Sequence, residues 1–174
     1  LDVSGFLDAQ PQITDVFIVG GEAVISAEIE AELAGPRGYT VTRLAGETRA
    51  DTAVAVAEEL GAANVVLVNG SGFADALSAG PLAAGFGAAI LVVNADSIPA
   101  VTAAWHIGNC NTITAVGVVG GTSVVSASVK ADAVAAATCA PVGITSATLT
   151  VDDVQQRTIT LTDVGTADEV TLTA

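Results

Sequence analysis

The 174-residue sequence has few aromatic residues, few positive charges and no long apolar run. Aromatics are 3% of the residues, and 5 Lys and Arg oppose 19 Asp and Glu, which gives a formal net charge of -14. Nucleic-acid binding is not expected, because phosphate backbones attract clusters of Lys and Arg. A membrane span is not expected either, since the apolar runs are far shorter than the roughly 20 residues that cross a bilayer.

What is present indicates a domain with a substantial core. Apolar residues make up 51% of the chain, and a chain of this length buries roughly 70% of its unfolded surface. The low lysine content, the many acids and the Thr-rich segments favour an extracellular location.

Two cysteines, Cys110 and Cys139, are the disulfide candidate of this sequence. If oxidised, they close a loop whose chain-entropy contribution is about 3 to 4 kcal/mol. Two reduced, buried thiols are the alternative. A zinc site is the weaker interpretation because His106 is the single histidine and the ligand set is incomplete. We therefore expect no metal site and no cofactor.

The strongest pattern is an internal repeat, in which residues 15–27 reappear as residues 115–127. Each copy has a short apolar run, a Gly-Gly pair, two apolar residues and then a Ser that suits a helix N-cap. The pattern predicts a strand, a loop and a helix in both copies.

The residues between the two copies continue the same alternation of strands and helices. Strands are predicted at Tyr39–Leu44, Val65–Val68 and Ala89–Val93, and helices at Arg49–Leu60, Ala74–Ala84, Ile98–Ile107 and Ala127–Ala137. Pro81 predicts a break or kink in the second helix. Strands that are apolar on both faces predict an α/β fold, with a parallel sheet and helices on both of its faces.

The residues after Pro141 have a different composition, with threonines alternating with aliphatic residues as far as Thr173. A period of two predicts half-buried antiparallel strands. Residues 141–143 are then a linker, and residues 141–174 a β-rich C-terminal segment that starts a β-sandwich or supplies strands for assembly.

Four sequence blocks carry a resemblance to a known family. They are Val41–Arg49 with Thr52 and Ala53, Val66–Gly70 with Phe73–Ala79, Pro81–Ala84, and Gly120–Ser126. In this order they resemble one unit of the cell wall-binding repeat 2 family of secreted surface proteins. The resemblance implies a noncatalytic anchoring module with a flavodoxin-like repeat unit. It also implies tandem units that hold a protein noncovalently on anionic wall polymers.

The resemblance sets the expected domain organisation. Residues 1–38 are the end of a preceding repeat unit, and residues 39–140 are one complete α/β unit. The expected partners are a cell-wall polysaccharide or another anionic wall polymer, and tandem repeat units or identical subunits.

Arg43, Arg49 and Asp75 are the candidate ligand-binding residues. Two guanidinium groups flank Gly46 in a chain with five cations, and their fork geometry suits a phosphate or carboxylate. The structural alternative is that one arginine pairs with Asp75 or caps carbonyls inside the repeat.

Other candidate sites are weaker. The Gly-Gly pairs favour tight turns over phosphate loops, because neither GxGxxG nor a P-loop motif is present. His106 and Cys110 are not expected to form a catalytic pair, since a hydrogen-bonded structural histidine is the commoner case. The aspartates Asp152, Asp153 and Asp163 favour solvated turns over a calcium site. We therefore expect no catalytic residues and no enzyme activity.

Three hypotheses about function remain open at this point. The leading one is a noncatalytic cell-surface module that anchors an extracellular protein to cell-wall polymers. The alternative is a structural subunit of a surface layer or extracellular filament that assembles through α/β units and β-strands. A third is the anchor of a wall hydrolase whose catalytic domain lies outside these residues.

Overall fold

A computed structural model describes residues 3–139, 147–152 and 156–161 of the chain. The chain divides into two compact units, Leu1–Thr138 and Cys139–Ala174. In chain order the elements of the first unit are α1 (Val3–Asp8), β1 (Asp15–Val19), α2 (Ala27–Ala34), β2 (Thr40–Leu44), α3 (Arg49–Leu60), β3 (Asn64–Asn69), α4 (Phe73–Phe86), β4 (Ala88–Val93), α5 (Ala100–Gly108), β5 (Ala115–Val118) and α6 (Ala127–Ala136). The second unit contains β6 (Ala147–Asp152) and β7 (Gln156–Leu161).

A three-stranded parallel sheet in the order β4-β3-β5 forms the centre of the first unit. The central strand β3 is buried from its second residue to its last, as expected for a strand covered on both faces. One face packs in a cluster that includes Val54 of α3, Trp105 of α5 and Val129 of α6, and the other packs against Ala79 and Ala83 of α4. The predicted α/β fold, with helices on both faces of a parallel sheet, is confirmed.

Strands β1 and β2 form a separate two-stranded parallel sheet, with Asp15 opposite Thr40 and Val19 opposite Leu44. The chain leaves β2 and enters α3, which packs against β4 and α5. Strand β2 therefore pairs with the strand of residues 15–27, while the helix after it packs on the central sheet.

Helix α4 differs from its prediction, because it runs from Phe73 to Phe86 with Pro81 inside it. Proline lacks the amide that would bond to the carbonyl of Leu77 one turn earlier. Leu77 is 74% exposed, so water can reach this part of the helix. The expected break at Pro81 is therefore absent.

The second unit consists, in its described part, of one antiparallel pair in which Ala147 lies opposite Leu161 and Asp152 opposite Gln156. The predicted linker at residues 141–143 and the threonines near the end of the chain lie outside the described residues. Within the described ranges, none of the helices combines the length and apolar character required to cross a bilayer.

Candidate functional site

The loops that follow β2, β3 and β4 form an open cleft of about 610 Å³. Ligands of parallel α/β sheets bind at this carboxyl edge of the strands. We call it the Arg49 cleft, and its lining residues are Glu47, Thr48, Arg49, Ala50, Gly70, Ser71, Val92, Asn94 and Pro99. Two further cavities of about 460 and 300 Å³ also have Arg49 in their walls. Arg49 is therefore common to all three.

The position of Arg49 is fixed by the start of α3. Thr48 is the N-cap residue, and its hydroxyl accepts a hydrogen bond from the amide of Asp51 at 3.3 Å. The Asp51 carboxylate accepts the Thr48 amide in return at 3.0 Å, which completes a capping box. A hydrogen bond from the Thr48 hydroxyl is the main cause of the lowered pKa of Asp51. The sequence predicted this helix start because the capping residues have the required spacing.

The Arg49 side chain is exposed, and its Nη1 donates a hydrogen bond to the Gly70 carbonyl at 3.0 Å. A guanidinium has five N–H donors in a planar fork. In the described part of the chain no carboxylate forms an ion pair with Arg49. Glu47 shares the cleft, so the local charge is mixed. Arg49 therefore lines the cleft with a guanidinium that no described carboxylate pairs with, a group that can bind an anionic or hydroxyl-bearing ligand.

The loop between β3 and α4 contributes Gly70 and Ser71 to the lining of the cleft. A Cβ at Gly70 would lie 2.5 Å from Cγ1 of Val92, so a larger residue does not fit there without a shift. Asn69 is buried; its Oδ1 accepts the Ser71 amide at 2.7 Å and its Nδ2 donates to the Val124 carbonyl at 2.5 Å. Sequence reasoning missed Asn69, although an amide that ends an apolar run before a glycine is a usable signal.

Arg43 lies elsewhere and is used inside the protein. Its side chain is 14% exposed and its Nε is 2.7 Å from Oε2 of Glu30. Its Nη1 donates to the carbonyls of Gly20 at 2.8 Å and Ile25 at 2.9 Å. Arg43 therefore holds the loop between β1 and α2, and it does not line the Arg49 cleft. Of the two interpretations of this arginine, capping of carbonyls within the repeat is the one that the contacts support.

Asp75 lies beside the second Gly-Gly loop, outside the Arg49 cleft. A Cβ at Gly120 would come within 2.9 Å of Oδ2 of Asp75. Gly20 and Gly120 have φ values of 126° and 115°, which side-chain-bearing residues rarely adopt. The Gly-Gly pairs are thus tight turns, and of the three predicted ligand residues Arg49 is the one that lines the Arg49 cleft.

His106 is fully buried in α5, and its Nδ1 is 2.9 Å from the Thr102 carbonyl. Burial lowers its pKa. Its Nε2 has no hydrogen-bond partner in the described part of the protein. Both cysteines, Cys110 and Cys139, are disulfide-bonded in the structure. A disulfide-bonded sulfur cannot act as a nucleophile, so these residues provide no catalytic pair.

Residues 43–130 match a family profile described as Cell wall binding domain 2 (CWB2). This match confirms the resemblance seen in the sequence blocks. The N-acetylmuramoyl-L-alanine amidase LytC of Bacillus subtilis (strain 168) is 36% identical over 116 residues, which are 66% of this chain and 23% of that protein.

Two solved structures share the fold of this chain. Cwp8 from Clostridium difficile is 31% identical with a TM-score of 0.58, and the match covers 72% of this chain and 21% of that one. Cwp6 from the same organism is 23% identical with a TM-score of 0.62, covering 68% of this chain and 19% of that one; this likeness shows the fold alone. The chain therefore spans less than a quarter of the length of each of these three relatives.

Proposed function

This chain belongs to the Cell wall binding domain 2 family, and on that premise we propose that it anchors an extracellular protein noncovalently to cell-wall polymers through the Arg49 cleft. The family match and the cell-wall relatives identify a cell-wall-binding module located outside the cell, at the wall or surface. The similarity to the amidase covers 23% of that enzyme, so we do not transfer its activity to this chain. We propose a noncatalytic role.

The pairing of the cations supports the choice of Arg49. Among the side chains that the structure describes, Arg37 and Arg43 are each paired with carboxylates, whereas Arg49 and Lys130 are not. Of the latter two, Arg49 lines the cleft and Lys130 lies on α6. Arg49 is thus the described cation that combines an available charge with a concave surface.

The net charge of -14 does not prevent a local contact with an anionic polymer. Exposed charges are largely screened beyond about 8 Å at physiological ionic strength. A guanidinium pairs with a phosphate or carboxylate at hydrogen-bonding distance, in a bidentate geometry.

One charge-assisted contact contributes about 1.5 to 3 kcal/mol, which is weak for an anchor. Linked units raise the overall affinity because each further contact becomes intramolecular. We therefore propose that tandem repeat units or identical subunits act together on one wall polymer. A single unit is then expected to bind weakly and reversibly.

Cosedimentation with purified cell walls tests the site. Arg49→Ala is expected to weaken binding about 10- to 100-fold, which corresponds to the loss of one charge-assisted contact. Lys130→Ala is the matched control, because it removes the same charge from an exposed position on α6 and should leave binding unchanged. Arg49→Lys keeps the charge without the fork, so an intermediate affinity is expected.

Three outcomes would contradict the proposal. Unchanged binding of a folded Arg49→Ala protein would remove the cleft as the site. Equal losses of wall affinity in Arg49→Ala and Lys130→Ala would show that binding depends on the net charge of the protein and not on the cleft. Ordered pelleting of the chain without walls would favour the alternative, a subunit of a surface layer or filament.

A further inference from the structure

The two repeat copies adopt the same local structure. In each, a strand ends at a glycine with positive φ, 126° at Gly20 and 115° at Gly120, and a Ser N-cap begins the helix. The backbone angles of the caps agree closely, with φ and ψ of -63° and 159° at Ser26 and -65° and 157° at Ser126. Positions 100 residues apart can therefore be compared directly.

The copies differ in how much of their apolar surface is covered. Val129 on α6 is 1% exposed and packs in the cluster that contains Trp105. Ile29, the equivalent residue on α2, is 48% exposed. On β1, Val19 is 51% exposed, whereas the equivalent Val119 packs against the cluster on the α4 side of the central sheet. Phe17 is also 51% exposed, and Gly117 stands at the equivalent position of the second copy. At positions 19 and 29 the first copy thus has apolar residues like those of the second, without the elements that cover them.

The backbone hydrogen bonds show which edge of each strand is used. On β1, the Gly20 amide bonds to Leu44 and the Thr14 carbonyl accepts from Thr40, both at 2.8 Å. The N–H and C=O groups of one residue point to the same edge of a strand, and those of the next residue point to the other edge. The backbone groups of the even-numbered residues of β1 therefore face β2.

On β5 the alternation is reversed. The Val119 amide, one residue beyond the end of β5, bonds to the Leu67 carbonyl at 3.0 Å, so the backbone groups of the odd-numbered residues at this end of the strand face β3. The amide of Thr114, just before the strand begins, also reaches the carbonyl of Ala63. The β3-bound edge of β5 thus corresponds to the edge of β1 that has no partner among the described strands.

Each copy is therefore complete on the edge where the other is open. A repeat strand that is paired on both edges has two neighbours. On one side lies the strand of its own unit that is equivalent to β3, and on the other lies the strand of the following unit that is equivalent to β2. We infer that consecutive units of this family are joined by strand exchange. The first strand of each unit completes the sheet of the unit before it.

The second copy, residues 115–127, shows which element occupies the open edge of β1, because its strand β5 pairs with β3 on the equivalent edge. It is a β3-type strand of a preceding unit in the same polypeptide, with an α4-type helix over Phe17 and Val19. An α5-type helix of that unit covers Ile29. Helix α1 fits this assignment, because Val3–Asp8 lie 100 residues before 103–108, the end of α5.

Extension of the chain by one unit tests this inference. A copy of residues 39–102 fused directly before Val3 regenerates a complete preceding unit. In the extended chain the amides of Phe17 and Val19 should exchange hydrogen at least about 100-fold more slowly than in the original chain. Phe17→Asp should remove that protection in the extended chain and shift the Tm of the original chain by no more than a few degrees.

The unextended chain gives an independent test that needs no fusion. Residue-resolved exchange should show slow amides at Val16 and Ile18 and fast ones at Phe17 and Val19. On β5 the pattern should be opposite, with a slow amide at Val119. The inference would be overturned if the slowly exchanging amides were at even-numbered residues in both strands, or at odd-numbered residues in both. Unchanged exchange at Phe17 in a folded extended chain would also overturn it. Protection at Phe17 that rises with protein concentration would assign the edge to a second copy and also overturn it.

Discussion

Replacement of Arg43 by alanine is expected to destabilise the fold more than the replacement of an ordinary surface arginine does. The side chain is 14% exposed and connects Glu30 with the carbonyls of Gly20 and Ile25. These carbonyls belong to the loop that joins β1 to α2. Alanine removes all of these contacts at once and leaves the two carbonyls without their donor.

The size of the effect follows from those contacts. A hydrogen bond to a charged group contributes about 1.5 to 3 kcal/mol, but the two carbonyls share one donor nitrogen and water can partly replace it. The ion pair with Glu30, which is 35% exposed, adds at most about 1 kcal/mol. We therefore expect the free energy of unfolding to fall by about 2 to 3 kcal/mol.

Urea unfolding followed by circular dichroism measures this change. Arg37→Ala is the matched control, because Arg37 is similarly covered at 18% exposure but pairs with the exposed carboxylates of Asp8 and Glu32 and caps no carbonyl among its described contacts. Its loss should be clearly smaller. A change below about 0.5 kcal/mol for Arg43→Ala, the range of ordinary surface substitutions, would refute the structural role assigned to Arg43.

Three further predictions concern stability. Cys110→Ser with Cys139→Ser should lower the free energy of unfolding by about 3 to 4 kcal/mol; equal melting of the original protein with and without reductant would contradict this. Burial lowers the pKa of His106 from 6.5. Below pH 6.5 the unfolded chain therefore takes up the proton more readily than the folded protein, and the free energy of unfolding decreases as the pH is lowered. In thermal melts between pH 7.5 and 5, His106→Gln should show less of this fall, and an identical profile would count against it. Gly70→Ala should destabilise by about 1 to 3 kcal/mol, because its Cβ would lie 2.5 Å from a β4 side chain. Gly72→Ser meets open space and should melt like the original protein.

The local elements were predictable from sequence because each has a local cause. Helix α3 begins and ends at Arg49 and Leu60 as predicted, since a capping box starts it and Gly61 in the left-handed conformation ends it. Strand β3 extends one residue beyond its prediction at either end. An apolar run marks the buried strand but not its last polar residue.

Pairing and site geometry were not predictable in the same way. Apolar periodicity states which face of a strand is buried, but not which strand lies beside it, so the separate β1-β2 sheet was not predicted. The different roles of Arg43 and Arg49 depend on the position of Gly20, which is close to Arg43 only in the folded chain. Proximity in sequence suggested one shared site for the two arginines.

The central claim is that wall polymers bind at the Arg49 cleft, and an NMR titration with soluble fragments released from purified walls tests it most directly. The claim predicts that amide shift changes centre on Glu47, Gly70 and Ser71, together with the Arg49 guanidinium, and that they vanish in Arg49→Ala. Shift changes confined to another surface, or identical changes in Arg49→Ala, would contradict it.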